Sequence, residues 1–303
     1  MGVNQIALAQ KFDWLKTISA KESVYIYDIV AEPGGSAVIA FTPVGVGTDT
    51  LKLDTIKYPF KLTYPSTMLA RTNPQGKAVA LKEFGNLRIG GIVGGDSGEF
   101  YIAGSLNPRI KQYIDTNYLN PKNGTLFFAC LDNKFRLKWF KQTGNDSAVL
   151  INRLKYLDHH LYFIIGSNDS ITLGTNTYYR KFQNRIQIFG EVNPKNGIVL
   201  WSQSYQKNHI SGFGHYLTGI TKLKNKLYVS GVVGQYKHTI LKFGKDTLNR
   251  GSFVVETDTV GNYIKHFHFY TDSLRGGFYS PGLSYIESIE SDGEYLYIGG
   301  NFS

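Results

Sequence analysis

The chain has 303 residues, with 33 Lys and Arg against 23 Asp and Glu, and its formal charge of +10 favours anionic partners such as acidic glycan, nucleic acid, a lipid surface or an acidic protein. Tyr (21), Phe (19) and Gly (33) abound while Ala-, Leu- and Glu-rich helical stretches are missing, which excludes a helical core and points to sheet. No run approaches the roughly 18 apolar residues of a membrane span, and a single cysteine, Cys130, excludes an internal disulfide and a Cys-based zinc site.

Residues 1–6 lack a basic region followed by an apolar one, so no signal peptide is visible, and Ile6 stands where a myristoylation site needs Ser or Thr. Two strands open the chain, Gln5–Ala9 and Asp13–Ile18, the second carrying Trp14. A first copy of a longer pattern follows: strands Tyr25–Ile29 and Ala37–Phe41, an insert over about 44–66, then Met68–Ala70 and a turn at Asn73-Pro74-Gln75-Gly76. The second copy has Arg88–Ile92, Phe100–Gly104, an insert over about 107–124, Phe127–Ala129, a turn at Asp132-Asn133 and Trp139. In the third come Leu150–Leu154, Leu161–Gly166, an insert over about 168–183, Ile186–Ile188, a turn at Asn193–Gly197 and Trp201. The fourth runs through Tyr216–Ile220, Leu227–Gly231, an insert over about 234–251, Phe253–Val255, a turn at Asp258–Gly261 and Tyr263–Phe267. Tyr285–Ile289 and Leu296–Gly300 begin a fifth.

The first strands of all five copies align without gaps. Their second and fifth positions are aliphatic (Ile26 and Ile29, Ile89 and Ile92, Ile151 and Leu154, Leu217 and Ile220, Ile286 and Ile289), while the third and fourth vary. Second strands share Tyr-hydrophobic-x-Gly, as in Tyr101–Gly104, Tyr228–Gly231 and Tyr297–Gly300, and Asn/Asp turns mark a closing hairpin. The N-terminal pair matches third and fourth strands, and the C-terminal pair matches first and second strands. Two half-blades complete one blade, so the expectation is an all-β, single-domain (1–303) five-bladed β-propeller. Its blades would be four-stranded, the last one closed two-plus-two by the N-terminal strands. Removal of residues 1–20 should then abolish the fold. Trp14, Trp139 and Trp201 occupy equivalent fourth-strand positions, which suits packing between blades.

This pattern of a Trp-containing strand, an apolar strand, Tyr-x-x-Gly and an Asp/Asn–Gly hairpin resembles the bacterial β-propeller repeat family called SBBP over nearly the whole chain. The long inserts depart from that family. The resemblance implies a binding or scaffold role.

In a propeller, the starts of first strands share a face with the loops between second and third strands. That face would gather Tyr25, Arg88, Leu150, His215, Tyr216 and Tyr285 with insert residues Tyr58, Tyr179, Arg180 and Tyr236. The inserts are basic and aromatic together, and Tyr and Arg are enriched in binding hot spots. The same aromatics also suit pinning their own loops to the blades. The expected function is therefore a non-enzymatic binding or scaffold module in an exported cell-surface or virion assembly, recognising a protein or glycan partner. No catalytic residue, cofactor or metal is expected.

Three rivals stand beside this reading. Asp28, Glu287 and Glu290 on first strands could serve glycoside chemistry, Asp28 with Glu287 as the pair. The positive charge could serve nucleic acid, ranked last for want of an RNP-type aromatic motif. His266 and His268 could form a metal pair, but with no assignable third ligand. Cys130, inside an apolar strand, reads as a small buried hydrophobe, and Asn123, Asn145, Asn168 and Asn301 open chance-level glycosylation triplets.

Overall fold

The computed structural model describes residues 18–19, 23–44, 47–53, 56–62, 66–85, 87–107, 111–144, 149–179, 185–207, 215–233, 241–243, 246–248, 251–269 and 285–301. Among these, everything regular is β-strand except one 3-10 turn at Pro121–Asn123. The chain divides into two compact units, Met1–Glu83 and Phe84–Ser303.

The first unit contains β1 (Ile18–Ser19), β2 (Ser23–Ala31), β3 (Ala37–Val44), β4 (Gly47–Leu53), β5 (Ile56–Leu62), β6 (Met68–Thr72) and β7 (Ala78–Glu83). β2, β3, β6 and β7 form a four-stranded antiparallel meander, and the insert is a hairpin of β4 and β5 with β1 beside β4. Ile39, Phe41, Leu51, Leu53, Met68 and Ala70 make its core.

The second unit repeats this plan. Its first meander has β8 (Arg88–Gly94), β9 (Phe100–Ser105), the hairpin β10 (Gln112–Ile114) and β11 (Asn117–Leu119), then β12 (Leu126–Leu131) and β13 (Leu137–Thr143). The next has β14 (Val149–Leu157), β15 (His160–Ser167), the hairpin β16 (Ile171–Leu173) and β17 (Asn176–Tyr178), then β18 (Ile186–Val192) and β19 (Val199–Lys207). After it come β20 (His215–Leu223), β21 (Lys226–Val233), the hairpin β22 (Leu241–Phe243) and β23 (Asp246–Leu248), then β24 (Gly251–Thr257) and β25 (Tyr263–Phe269). β26 (Tyr285–Ser291) and β27 (Leu296–Asn301) pair as a two-stranded sheet. The four complete meanders are those read from the sequence. Of the expected closing strands only Ile18 is described, and it pairs with Leu53 of β4; the rest, including Trp14, lies outside the described residues.

A β-bulge explains the first-strand pattern. Pairing shifts register between Ile26 and Asp28, Ile89 and Gly91, Ile151 and Arg153, Leu217 and Gly219, and Ile286 and Ser288. In a regular strand, residues three apart face opposite sides. One extra residue at the third position returns the second and fifth positions to the same side. In the second unit this lets the aliphatic pairs bury together, Leu217 with Ile220 and Ile286 with Ile289.

Middle strands are buried on both faces and so read as continuous apolar runs. Along β15, Leu161, Phe163 and Ile165 join a core with Tyr101 and Phe128 of the meander before, while Tyr162 and Ile164 join Leu217, Ile220 and Phe253 of the meander after. The first strands follow one another, β14 lying between β8 and β20, and β20 between β14 and β26. The Tyr-x-x-Gly glycine is demanded by proximity: a Cβ on Gly104 would sit 2.3 Å from the Arg88 carbonyl oxygen and 2.6 Å from the Phe127 ring.

The closing turns share one chemistry. Asn73, Asp132 and Asp258 each accept backbone N–H bonds from the residues two and four ahead, and Asn193 accepts from Lys195. Left-handed backbone follows at Gly76, Phe135, Gly197 and Gly261. Gly197 and Gly261 also receive the tryptophan of the preceding meander. An added Cβ would lie 2.5 Å from the Trp139 ring at Gly197 and 2.6 Å from the Trp201 ring at Gly261, and Trp139 donates Nε1–H to the Pro194 carbonyl at 3.1 Å. Trp139 and Trp201 thus pack between meanders, as their spacing predicts.

Candidate binding face

Each insert folds as an antiparallel hairpin, with three paired residues a side in the second unit and seven a side in the first, whose three innermost pairs match the others in spacing. The facing pairs are Leu51–Tyr58, Lys52–Lys57 and Leu53–Ile56; Gln112–Leu119, Tyr113–Tyr118 and Ile114–Asn117; Ile171–Tyr178, Thr172–Thr177 and Leu173–Asn176; Leu241–Leu248, Lys242–Thr247 and Phe243–Asp246. Asp115 and Gly174 take the left-handed conformation that such tight hairpin turns require at their first position.

Alternation gives each hairpin an inward and an outward side. Leu51, Leu53, Gln112, Ile114, Leu119, Ile171, Leu173 and Leu248 are buried. The central pair points outward: Lys52 and Lys57 are exposed, and Tyr113 and Tyr118 are each 47% exposed with ring centroids 5.5 Å apart at 49°. The buried positions are apolar except for Gln112, whereas the outward pair changes from Lys–Lys to Tyr–Tyr and Thr–Thr across the first three hairpins.

Hydrogen bonds fix the Tyr113–Tyr118 hairpin from several directions. Gln112 Oε1 accepts from Asn107 N–H at 2.9 Å, Asp115 Oδ2 accepts from Leu137 N–H at 3.0 Å, and Gln142 Nε2 donates to the Asn120 and Gly124 carbonyls. In the next meander Tyr178 bonds Ser202 Oγ at 2.8 Å, and β22 adds itself to the outer edge of β19. These contacts supply the pinning role expected of the inserts, while the outward pairs stay available to solvent.

Strand register places the expected first-strand residues at the insert end of their meanders. Tyr25 faces Thr42, Arg88 faces Ser105, His215 faces Val233 and Tyr216 faces Val232, each partner lying towards the end of the second strand from which the insert departs, and Tyr285 faces Asn301 at the matching end of β27. Tyr25, Arg88, Tyr216 and Tyr285 are exposed, as is Tyr179 just after β17. Tyr58 serves packing: it is partly buried, and its hydroxyl donates to Glu83 Oε2 at 3.0 Å. Burial and that carboxylate push its pKa up. Arg180 and Tyr236 lie outside the described residues. The sequence reading passed over Lys52–Lys57 and Tyr113–Tyr118 as facing pairs. The signal for them is the repeated spacing of Leu51-Lys52-Leu53, Gln112-Tyr113-Ile114, Ile171-Thr172-Leu173 and Leu241-Lys242-Phe243 before a two-residue turn.

The first-strand polar groups of the second unit are tied to neighbouring strands. Arg153 donates to the Thr218 and Glu287 carbonyl oxygens at 2.9 and 3.2 Å, Lys155 pairs with Glu290, and Asn152 donates to Gln187 Oε1. Asp28 belongs to the first unit, where its Oδ1 accepts from Ile29 N–H, and Glu287 belongs to the second. His266 Nδ1 lies 2.7 Å from the Tyr263 hydroxyl, which is also bonded to Asp246; no group of three or more His, Cys, Asp or Glu is placed to hold a metal among the described residues. Cys130 is buried, and burial pushes its thiol up to about 11, so it stays protonated at neutral pH.

Neither a scan against protein-family models nor a search of curated proteins found a match. Among solved structures, the C-terminal WD40 domain of Sif2 aligns over 95% of this chain and 96% of its own, at 11% identity and a TM-score of 0.30.

Proposed function

We propose that the chain is a non-enzymatic binding module that recognises a protein or glycan partner through the outward pairs of its insert hairpins. The observation that supports this is the contrast within the first three hairpins, a buried inward side that is apolar except for Gln112 beneath an outward pair that changes from Lys–Lys to Tyr–Tyr and Thr–Thr. Loops on rigid scaffolds carry recognition, and pre-organised aromatic side chains lower its entropic cost. The same reading assigns the chain to an exported cell-surface or virion assembly. Its test is capture of partners from the envelope and secreted fractions of the source organism. Species bound by the wild type should be lost by a variant carrying K52S, K57S, Y113S and Y118S. A partner retained by that variant overturns the assigned face.

We propose further that the scaffold is a five-bladed β-propeller forming one domain, its fifth blade made of β26, β27 and the N-terminal strands. Two equivalences support closure. Ser19 pairs with Lys52 as Gln206 pairs with Lys242, and Trp14 precedes Ser19 by the same five residues that separate Trp201 from Gln206. Residues 13–19 thus align with a fourth strand. Second, first-strand aliphatic residues of the second unit pack with the second-strand tyrosine of the preceding meander: Leu154 with Tyr101, Leu217 and Ile220 with Tyr162, Ile286 and Ile289 with Tyr228. Their counterparts Ile26, Ile29 and Tyr297 are 54%, 57% and 55% exposed. Closure would match that tyrosine to those isoleucines. A disulfide should form in the I29C/Y297C double variant, detected by mass spectrometry after nonreducing digestion, and its failure to form under oxidation would sink the closed ring.

A further inference from the structure

Within the second unit the meanders differ sharply in the charge of their outer strands, a contrast that lies beyond the hairpin face. From the closing turn to the middle of β13, residues 132–141 hold Lys134, Arg136, Lys138 and Lys141, all of them exposed. The matching stretch of the next meander, 193–203, holds one such cation, Lys195. That of the meander after, 258–267, holds Lys265, which pairs with buried Glu256. Lys134, Lys138 and Lys141 form no ion pair among the described residues. The carboxylates of this turn and of the hairpin tip are engaged, Asp132 by Arg136 and Asp115 by the Leu137 N–H at 3.0 Å.

Register and packing gather these cations along one strand. Pairing shifts between Cys130 and Leu131, which leaves Lys138 as the extra residue of a β-bulge with no ladder partner. Lys141 shares a face with Trp139, and a Cβ on Gly197 would lie 2.7 Å from that of Lys141, so the turn bearing exposed Lys195 lies beside it. Among the described residues β13 pairs with β12 alone, and its outer backbone groups form a template for another strand. The neighbouring meander shows that the fold accepts one there: β22 adds to the outer edge of β19 at Gln206 and Lys207.

Chemistry selects the occupant. A second copy of β13 would set lysine against lysine and be repelled. A single-stranded nucleic acid needs aromatic faces for its bases, and Trp139 offers none: its ring packs at Gly197 and its Nε1–H goes to the Pro194 carbonyl. An extended peptide supplies N–H and C=O groups to the strand edge, and acidic side chains supply the partners the lysines lack.

We infer that β13 is a docking edge for an acidic, extended segment of a partner protein, added as a strand beside Lys138 and Lys141. Fluorescence anisotropy of a labelled, alternating Glu-Val octapeptide titrated with the full chain tests this. The comparison probes are the same peptide with every amide N-methylated, which keeps its charge but removes its donors, and single-stranded poly-dT. The Glu-Val peptide should bind, and both comparison probes should bind at least about tenfold more weakly. K138Q/K141Q should weaken the peptide about tenfold and flatten its salt dependence. K77Q/K224Q removes the same charge from exposed positions elsewhere and should change affinity by less than about twofold. Bound peptide should also slow amide exchange across Leu137–Thr143. Absence of binding, indifference to N-methylation, equally tight binding of poly-dT, equal loss in the two lysine pairs or unchanged exchange in β13 would each overturn the inference.

Discussion

Glu191 and Glu256 stand at the same position of their meanders, next to the bulge between third and fourth strands, and both are buried. A buried carboxylate persists only when its oxygens are bonded. Glu191 meets His160 Nδ1 at 2.6 Å and accepts Trp201 Nε1–H at 2.7 Å, while Glu256 meets Lys226, Lys265 and the Tyr228 hydroxyl. The corresponding residue in the first unit is Arg71, paired with Glu32. Burial by itself would raise the Glu256 pKa, but bonds from Lys226, Lys265 and Tyr228 outweigh it and hold the carboxyl below its usual range. A carboxyl depressed by folding stabilises above its unfolded pKa and loses that contribution as pH falls through the folded value. Since Lys226 and Lys265 are partly exposed, E256Q should cost about 1–2 kcal/mol near neutral pH. Urea midpoints of wild type and E256Q should converge as pH drops below the normal glutamate range; a constant gap would show that packing, not charge, is lost. At Gly197 backbone and contact act together. Alanine there would be strained at φ 75° and would meet the Trp139 ring at 2.5 Å. G197A should therefore lower stability by about 2 kcal/mol or more in chemical denaturation, far above the cost of an exposed-loop Gly→Ala.

At the scale of elements, the hairpins set one side against the other in the same three-residue strands. Ile171 and Leu173 are buried, and Thr172 between them is not. Serine at Ile171 or Leu173 should each cost about 2 kcal/mol or more, whereas T177S on the outward side should change stability by no more than about 0.5 kcal/mol. Equal effects in urea unfolding would contradict the inward–outward assignment. The strands themselves were legible in the sequence because long apolar runs such as Leu161–Gly166 and turn residues such as Asn193 and Gly197 carry strong local signals. In the second unit the hairpins were read as loops because three residues per strand give period two too little length to register beside the basic and aromatic residues around them. The freely varying third position of the first strands looked like decoration. It is the bulged residue, Tyr27, Gly90, Asn152, Thr218 or Glu287, whose variability follows from its lack of a ladder partner. Of the expected site, the insert-end placement was legible from antiparallel order alone. The facing of Lys52 on Lys57 and Tyr113 on Tyr118 needed the register.

The whole molecule poses a question that a surface substitution can answer. Ile26 and Ile29 are exposed in the first unit, although the same two positions are buried in the later meanders at Leu217 and Ile220 and at Ile286 and Ile289. On an open chain, replacing exposed isoleucines by serine removes little buried surface and changes stability by about 0.5 kcal/mol or less. In a closed ring the pair would lie under Tyr297 as Ile286 and Ile289 lie with Tyr228, and I26S/I29S would forfeit about 3 kcal/mol or more of burial. Truncation of residues 1–20 should produce a comparable or larger loss if those residues complete the fifth blade. It leaves Ile26 and Ile29 in place, so the two experiments report on different parts of one joint. Closed-ring behaviour is a large loss in both, seen as a lower midpoint in urea and a lower melting temperature. A neutral I26S/I29S variant would leave the meanders as an open array and remove the geometric basis for a single ring of hairpins.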